Sequence, residues 1–199
     1  PAFDQWNRRL GDYDLYLQKM VDIYSETIKF TNPFHISYIS KKVIEQKGER
    51  VYTYSRERIQ WHKDRGHLVI AISGSPVELV REMSAMYGMD DYKGTVYEIG
   101  SDGAYTGKII PMWDAASKKT AVLEMAKKHQ IDLTESYAYG DTAADLAMLK
   151  LVEHPFAINP TRELISHILK DDFLREAITI IVERKDVTYR LNADSLQLI

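Results

Sequence analysis

The chain has 199 residues, of which 45% are hydrophobic, and it carries a formal net charge of −3. This length and apolar content suffice for one main domain with a small second unit. The acidic balance disfavours nucleic acid and anionic membranes as partners, because neither would meet a global positive field. The chain contains no cysteine, which excludes disulfides and cysteine nucleophiles and fits a reducing, cytoplasmic location. No apolar run approaches the roughly 20 residues of a spanning helix.

The first third of the sequence predicts helices. Apolar residues recur every three or four positions from Leu15 to Ile28, and Asn32-Pro33 interrupts the pattern before it resumes to about Gln46. A third amphipathic segment runs from Val51 to Arg65 and ends at Gly66. This part of the chain is therefore expected to form a small helical unit.

From His67 onward, strands and helices alternate. His67 to Ile72 is an almost unbroken apolar run rich in β-branched residues, which is typical of a strand buried in a parallel sheet. Strands are also predicted at Ser136 to Tyr139 and at Pro155 to Ile158, each followed by a helical segment. The alternation predicts an α/β fold with a doubly wound parallel, Rossmann-like sheet. The tail from Ala177 to Leu191 predicts a C-terminal β-hairpin.

Polar residues follow the predicted strands at the points where the strands end. Gly140-Asp141 closes one strand, and Asp145 lies on the first turn of the next helix. In open α/β sheets this edge binds ligands, and paired carboxylates there are costly unless a cation or a proton separates them. Oxygen ligands of this kind suit Mg²⁺. The alternative is that the two aspartates are only a helix cap and a first-turn carboxylate.

Two further segments could contact a phosphate. Ser73-Gly74 follows the first strand, where glycine lets the backbone approach a ligand and the next helix offers amide donors. Lys118 and Lys119 open the helix that precedes the strand of Asp141, and a cation there could neutralise phosphate charge. Each segment also has a structural interpretation without a ligand. Ser73-Gly74 could be an ordinary strand-to-helix turn, and Lys118 with Lys119 could be a solvated helix face.

Together these segments resemble the second, third and fourth motifs of the haloacid dehalogenase-like (HAD) phosphohydrolases, in the branch that resembles phosphoserine phosphatase. The resemblance covers residues 12 to 170 and implies a Mg²⁺-dependent phosphatase that acts through an aspartyl-phosphate. It implies a helical cap at residues 12–58 and an α/β core at residues 59–199. Its substrate would be a small phosphorylated metabolite.

The resemblance also implies a role for each site residue. Ser73 and the Gly74 amide would bind a phosphoryl oxygen. Lys118, with Lys119 as its rival, would stabilise the phosphate and orient the nucleophile. Asp141 would bind Mg²⁺ directly, and Asp145 would hold either the water shell of the metal or Lys118.

The chain departs from the family at its first motif, a strand ending in Asp-x-Asp that supplies the nucleophile. Ala2-Phe3-Asp4 has no second aspartate, and Asp12-Tyr13-Asp14 begins a helix instead of following a strand. One hypothesis is that the chain is most of a phosphatase whose nucleophile strand lies outside it, which makes this piece inactive. The alternative is a non-catalytic phosphate- or metal-binding module with a regulatory role. A missing central strand would leave backbone groups unpaired, which favours a homodimer or low stability.

Overall fold

The computed structural model describes residues 4, 7–8, 13–196 and 198. Three helices come first along the part from residue 13 onward: α1 (Tyr13–Ile28), α2 (Pro33–Lys47) and α3 (Thr53–Lys63). The break between α1 and α2 follows from local chemistry, because the Asn32 side chain accepts a hydrogen bond from the Phe34 amide and Pro33 occupies the first helical turn. The helical amino-terminal third is therefore present as predicted.

The first sheet contains three strands. Its elements are β1 (Ile70–Pro76), α4 (Val77–Tyr87), β2 (Asp91–Ile99) and β3 (Tyr105–Ile110), and α5 (Ala115–His129) follows it. β1 pairs in parallel with β2, and β2 pairs antiparallel with β3. β1 extends through the Ser-Gly-Ser-Pro turn with a register shift before Pro76, and α4 begins directly after that proline, at Val77.

The second sheet contains four strands in the order β4-β5-β6-β7. Its elements are β4 (Tyr137–Gly140), a 3₁₀ turn (Ala143–Asp145), α6 (Leu146–Leu149), β5 (His154–Ile158), α7 (Arg162–Ile168), α8 (Asp172–Ala177), β6 (Thr179–Glu183) and β7 (Thr188–Leu191). β4, β5 and β6 are parallel, and β7 pairs antiparallel with β6. Further 3₁₀ turns lie at Leu133–Glu135 and Ala193–Ser195.

The α/β class is confirmed, and the C-terminal hairpin is β6 with β7, which forms the edge of the second sheet. The strands form two mixed sheets instead of one continuous parallel sheet. Within residues 13–196, β1 has β2 as its one strand neighbour and β4 has β5. Each of these two strands therefore has one edge that no strand covers.

Each sheet has its own apolar cluster. The larger one packs α7 and α8 against the second sheet; its fully buried members are Leu149, Ala157, Leu164, Ile168, Leu174, Ile180 and Ala193. The smaller one joins α1 and α2 to the β2–β3 hairpin through Ile28, Ile36, Tyr97 and Tyr105. The helix α5 contacts β1 on one side and the turn and helix after β4 on the other. It is thus an element that connects the two sheets.

The third helix packs differently from the first two. The amides of Thr53 and Tyr54 at its start donate to the two carboxylate oxygens of Glu183 on β6, both at 2.8 Å. A carboxylate at a helix N-terminus satisfies free amides and is favoured by the helix dipole. This contact ties α3 to the second sheet, whereas α1 and α2 lie against the first. The division into a cap at 12–58 and a core at 59–199 stays a prediction.

Within the described parts of the chain, no helix is both long enough and apolar enough to cross a membrane.

We predict that Leu164→Ala lowers the free energy of unfolding by about 3 kcal/mol, because this side chain is fully buried in the larger cluster and its loss leaves a cavity. Urea unfolding followed by circular dichroism measures the change. The matched control is Leu123→Ala on α5, where the leucine is 45% exposed and the change should stay within about 0.5 kcal/mol. Equal effects of the two substitutions would contradict this assignment of the core.

Candidate active site

The end of β4 brings the two aspartates of the Gly-Asp motif together. Gly140 is the last residue of the strand, and a Cβ atom built there would lie 2.5 Å from the Cβ of Asp145 and 2.8 Å from its Cγ. Real Cβ atoms do not approach other atoms that closely. Glycine at this position therefore lets the Asp145 side chain fold back against the strand.

Asp145 is 3% exposed, and both of its carboxylate oxygens have partners. Oδ1 lies 2.5 Å from Nζ of Lys118. Oδ2 accepts hydrogen bonds from the amides of Asp141 and Thr142, both at 3.1 Å, and from the Thr142 hydroxyl at 3.2 Å. A buried carboxylate satisfied in this way is held in one position. Asp145 therefore contacts Lys118 directly, and its two roles in the site stay predictions.

Lys118 reaches Asp145 from the first turn of α5. That turn begins at Asp114, whose side chain accepts from the Ser117 amide and whose carbonyl oxygen accepts from the Lys118 amide. The Lys118 side chain is 10% exposed, whereas Lys119 is exposed to solvent. The structure therefore distinguishes the two lysines: Lys118 lies beside the aspartates and Lys119 points away from them.

Asp141 is the carboxylate at this site that could accept a cation. It is exposed at the mouth of the site, and no cationic side chain among residues 13–196 forms an ion pair with it. Partial desolvation, followed by the nearby negative charge of Asp145, raises the pKa of the Asp141 carboxyl above its usual value of 3.8. A divalent cation would relieve both effects, and carboxylate oxygen suits Mg²⁺.

The described side chains do not complete a metal site by themselves. Within the described residues, no group of three or more histidine, cysteine, aspartate or glutamate side chains could hold a metal ion. Mg²⁺ commonly uses one or two carboxylates together with water and substrate oxygens. Asp141 fits that pattern as a single protein ligand.

Ser73 and Gly74 lie inside β1, at the register shift between Ile72 and Pro76. The Ser73 hydroxyl accepts from the Ser75 amide at 3.2 Å, and the Gly74 carbonyl accepts from the hydroxyl of the fully buried Thr95 at 2.8 Å. A Cβ atom on Gly74 would lie 3.0 Å from the Cβ of Trp113, so the backbone passes close to that residue. Among described residues, no hydrogen bond links Ser73 to Lys118 or to the aspartates.

The sequence-predicted residues thus fall into two groups. Lys118, Asp141 and Asp145 are held together by direct hydrogen bonds at the end of β4. Ser73 and Gly74 lie inside β1, in the other sheet. Among the candidate nucleophile segments, Asp12 lies outside the described residues, and α1 begins at Tyr13, directly after it.

Two residues that position this site were missed in the sequence. Thr142 donates to Asp145 from the residue before the 3₁₀ turn, and Asp114 caps α5 one turn before Lys118. Both had a recognisable signal. A threonine three residues before an acidic residue is typical of a capping box, and an aspartate before an alanine-rich helix is typical of an N-cap.

The haloacid dehalogenase-like hydrolase family matches residues 17–150, which is more than half of the chain. The chain belongs to this family. The match contains β1, α5 and β4, the elements that carry Ser73, Lys118 and Asp141, and it extends through Asp145.

Two curated relatives are phosphatases by name. Phosphoserine phosphatase SerB1 of Mycobacterium tuberculosis is 33% identical over 120 residues, which cover 60% of this chain and 39% of that protein. The histidinol-phosphatase of Neisseria meningitidis serogroup C is 28% identical over 135 residues, which cover 66% of this chain and 59% of that protein. The chain therefore spans less than two thirds of either relative.

A solved structure titled as the phospho-aspartyl intermediate analogue of a phosphoserine phosphatase has a similar fold. It superposes with a TM-score of 0.53 at 20% identity, covering 84% of this chain and 81% of that chain. At this level of identity the likeness shows the α/β fold alone.

We predict that Lys118→Met lowers the free energy of unfolding by about 3–5 kcal/mol, because it leaves the buried Asp145 carboxylate without its cation. Adding Asp145→Asn should recover at least about half of this loss, since an asparagine oxygen still accepts the Asp141 and Thr142 amides without a charge. The control is Lys119→Met, at an exposed position, with a change within about 0.5 kcal/mol. Urea unfolding measures all three variants, and equal losses for the two lysines would refute the assignment.

We predict that Asp141→Asn raises the urea midpoint at pH 7 in the absence of divalent cations. A carboxyl whose pKa is higher in the folded chain binds its proton more tightly there, so its ionisation costs stability as pH rises above about 3.8. The gain should therefore shrink as pH falls from 7 to 3. Asp186→Asn in the exposed turn between β6 and β7 removes a charge away from Asp145 and serves as the control. A rise in the urea midpoint that becomes larger as pH falls would contradict a raised pKa of Asp141.

Proposed function

We propose that this chain forms most of the active site of a Mg²⁺-dependent phosphomonoester hydrolase that acts through an aspartyl-phosphate. The observation that carries the proposal is the buried Lys118–Asp145 pair beside an accessible Asp141 at the end of β4. This arrangement places a fixed ammonium next to a carboxylate that can take a metal. Such a combination suits the stabilisation of negative charge on a transferring phosphoryl group.

Each residue has a distinct part in the proposed chemistry. The Lys118 ammonium has three donors, of which Asp145 occupies one, so the others can donate to phosphoryl oxygens. The Ser73 hydroxyl and the Gly74 amide would bind further phosphoryl oxygens, and Asp141 would hold Mg²⁺. The metal, when bound, would polarise the phosphoryl group and offset its charge. Asp145 positions Lys118 and does not itself touch substrate.

The substrate that we propose is a small phosphorylated metabolite. Two relatives carry the names phosphoserine phosphatase and histidinol-phosphatase, and both names refer to phosphate monoesters of small molecules. Neither the Lys118 pair nor Asp141 would contact more than the phosphate. The part of the substrate beyond the phosphate must therefore be selected by other residues of the complete site.

The nucleophile is the missing part of this proposal. The side chains assembled at the end of β4 are Lys118, Asp141 and Asp145, and we assign each of them to binding or positioning. An aspartyl-phosphate needs a further aspartate beside the phosphoryl group. We therefore propose that the 199-residue chain alone is inactive. The incomplete site also supports a second candidate, a HAD-like module that binds phosphate or metal and has a regulatory role.

We predict that millimolar Mg²⁺ raises the thermal midpoint of the chain and that Asp141→Asn abolishes this rise, because Asp141 is the protein ligand. At a concentration of ten times Kd, one bound ion stabilises the folded state by about 1.4 kcal/mol. Thermal unfolding with and without Mg²⁺ measures the shift, and Asp186→Asn, which leaves the site intact, should keep it.

The same protein should show no Mg²⁺-dependent hydrolysis of p-nitrophenyl phosphate above background. Hydrolysis that Asp141→Asn abolishes would show that the chain holds its own nucleophile. If Mg²⁺ still raises the thermal midpoint of the Asp141→Asn variant, Asp141 is not the metal ligand and this part of the proposal is wrong. A longer form of the protein that includes an Asp-x-Asp strand should hydrolyse the ester. Binding of Mg²⁺ and phosphate by that longer form without hydrolysis would favour the regulatory module.

A further inference from the structure

Two histidines and a tyrosine join α3 to the strands that follow it. His62 lies in the last turn of α3 and is 7% exposed. Its Nδ1 atom lies 2.9 Å from Nδ1 of His67, just before β1, and its Nε2 atom lies 2.8 Å from the hydroxyl of Tyr139 on β4. We call His62 and His67 the histidine pair. One buried imidazole ring therefore connects α3 both with the segment that enters the first sheet and with the second sheet.

Arg58 limits the positions that the protons of this network can take. A guanidinium is always a donor, and Nε of Arg58 donates to the Tyr139 hydroxyl at 3.1 Å. The tyrosine oxygen thus accepts one hydrogen bond and can donate its own proton to Nε2 of His62. An imidazole that accepts at Nε2 carries its proton on Nδ1, so His62 then donates to Nδ1 of His67. In this arrangement both histidine rings are neutral.

The two facing Nδ1 atoms of the histidine pair have room for a single proton between them. If both rings were charged, two N–H groups would point at each other across 2.9 Å and no hydrogen bond would join them. A proton on the exposed His67 alone is compatible with the contact, because His62 can accept at Nδ1 and donate from Nε2 to Tyr139. Protonation of His62 as well breaks the contact.

The surroundings of His62 favour its neutral form. The guanidinium groups of Arg58 and Arg65 lie 3.8 and 4.0 Å from the centroid of the Trp61 ring, which meets the His62 ring edge-on. Burial first, then the positive charge of Arg58, and then His67 and Arg65 lower the pKa of His62 from 6.5 to about 4. The neighbouring group on β4, the Tyr137 ring, brings no charge that would offset this effect.

Acidic side chains near the histidine pair do not neutralise it. The pair lines a groove of about 470 Å³ between the sheets, together with His129 at the end of α5 and with Asp132 and Glu135. Nε2 of His129 lies 2.7 Å from a carboxylate oxygen of Asp91, so this third histidine already has an acidic partner. Among the described residues, neither Asp132 nor Glu135 hydrogen-bonds to the pair. A proton on His62 would therefore stay uncompensated.

We propose that the histidine pair is a proton-operated latch, which holds the end of α3 against the second sheet near neutral pH and releases it in mildly acidic solution. An apolar residue at position 62 could pack against β4 at every pH, whereas histidine makes the contact depend on pH. After release, the start of α3 keeps its contact with Glu183 on β6. The last turn of α3 moves away, and the rings of Tyr137 and Tyr139 become accessible to solvent.

The direction of the pH dependence follows from the pKa of His62. In the released helix this ring returns to its ordinary pKa of 6.5, whereas in the docked helix the pKa is about 4. The released form thus binds the proton more tightly. The equilibrium constant for release should rise by up to about tenfold for each pH unit as pH falls from 6.5 to 4. Above pH 6.5 both forms are neutral and the latch stays closed.

Amide hydrogen exchange of the 199-residue chain tests the latch. The protection factors of the α3 amides, corrected for the intrinsic exchange rate at each pH, should fall about tenfold between pH 6.5 and 5. Those of α7, which packs in the larger apolar cluster, should stay within about threefold. Nitrogen-15 NMR of labelled histidine is the second measurement, and it should show a neutral His62 ring at pH 6.5.

Histidine substitutions provide matched controls. His62→Phe keeps a ring at this position that cannot bind a proton, so the protection factors of α3 should no longer depend on pH. His154→Gln removes a ring that lies 4.4 Å from that of Tyr137 but has no hydrogen bond to the pair among the described residues, and the pH dependence should remain. His129→Gln should also keep it. Circular dichroism at pH 7 shows whether each variant is folded.

The outcomes decide between the latch and other sources of pH dependence. An α3 helix that loses protection equally in the original chain and in His62→Phe overturns the latch, because another group then titrates. Equal loss in α3 and α7 also overturns it, because the chain then unfolds as a whole. Unchanged protection of α3 from pH 6.5 to 4 has the same meaning. If His62→Phe does not fold, the NMR measurement decides, since a His62 ring already charged at pH 6.5 contradicts the proposal.

Discussion

The contact between Lys118 and Asp145 is the constraint on which the rest of the site depends. The two sheets share no strand pairing in the described chain, so their relative position depends on α5 and on the contacts of α3 with the second sheet. The ammonium of Lys118 joins the start of α5 to the turn after β4. Gly140 allows the contact, because any larger residue there would displace the aspartate. One buried ion pair therefore sets the geometry of the site and contributes to the junction of the sheets.

Local chemistry made much of the fold predictable. Apolar runs stopped by glycine predicted β1 and β4, and Asn32-Pro33 predicted the break between α1 and α2. The split of the sheet was harder to predict, because strand pairing depends on contacts that are distant in sequence. The helical segment predicted after the strand of Asp141 is a 3₁₀ turn followed by four helical residues, and the Asp145 carboxylate accepts hydrogen bonds from the two amides before that turn. The short helix α8 was missed.

The candidate site was predictable where motif spacing carries the information. The order of Ser73, Lys118, Asp141 and Asp145 led to a family that the comparison confirmed. Sequence alone left the choice between Lys118 and Lys119 open, and burial of one and exposure of the other separates them. The roles of the aspartates diverge for a similar reason. Asp145 is enclosed by hydrogen-bond donors, whereas Asp141 faces solvent. The spacing of the two residues in the sequence does not predict this difference.

The division of the strands into two sheets has a thermodynamic consequence. Each sheet keeps its own hydrogen-bond ladder and its own apolar cluster, so local opening of one sheet can leave the ladder of the other intact. Trp113, packed beside Gly74, therefore reports opening of the first sheet, and Trp61, whose ring lies 5.7 Å from that of Tyr137, reports opening of the second.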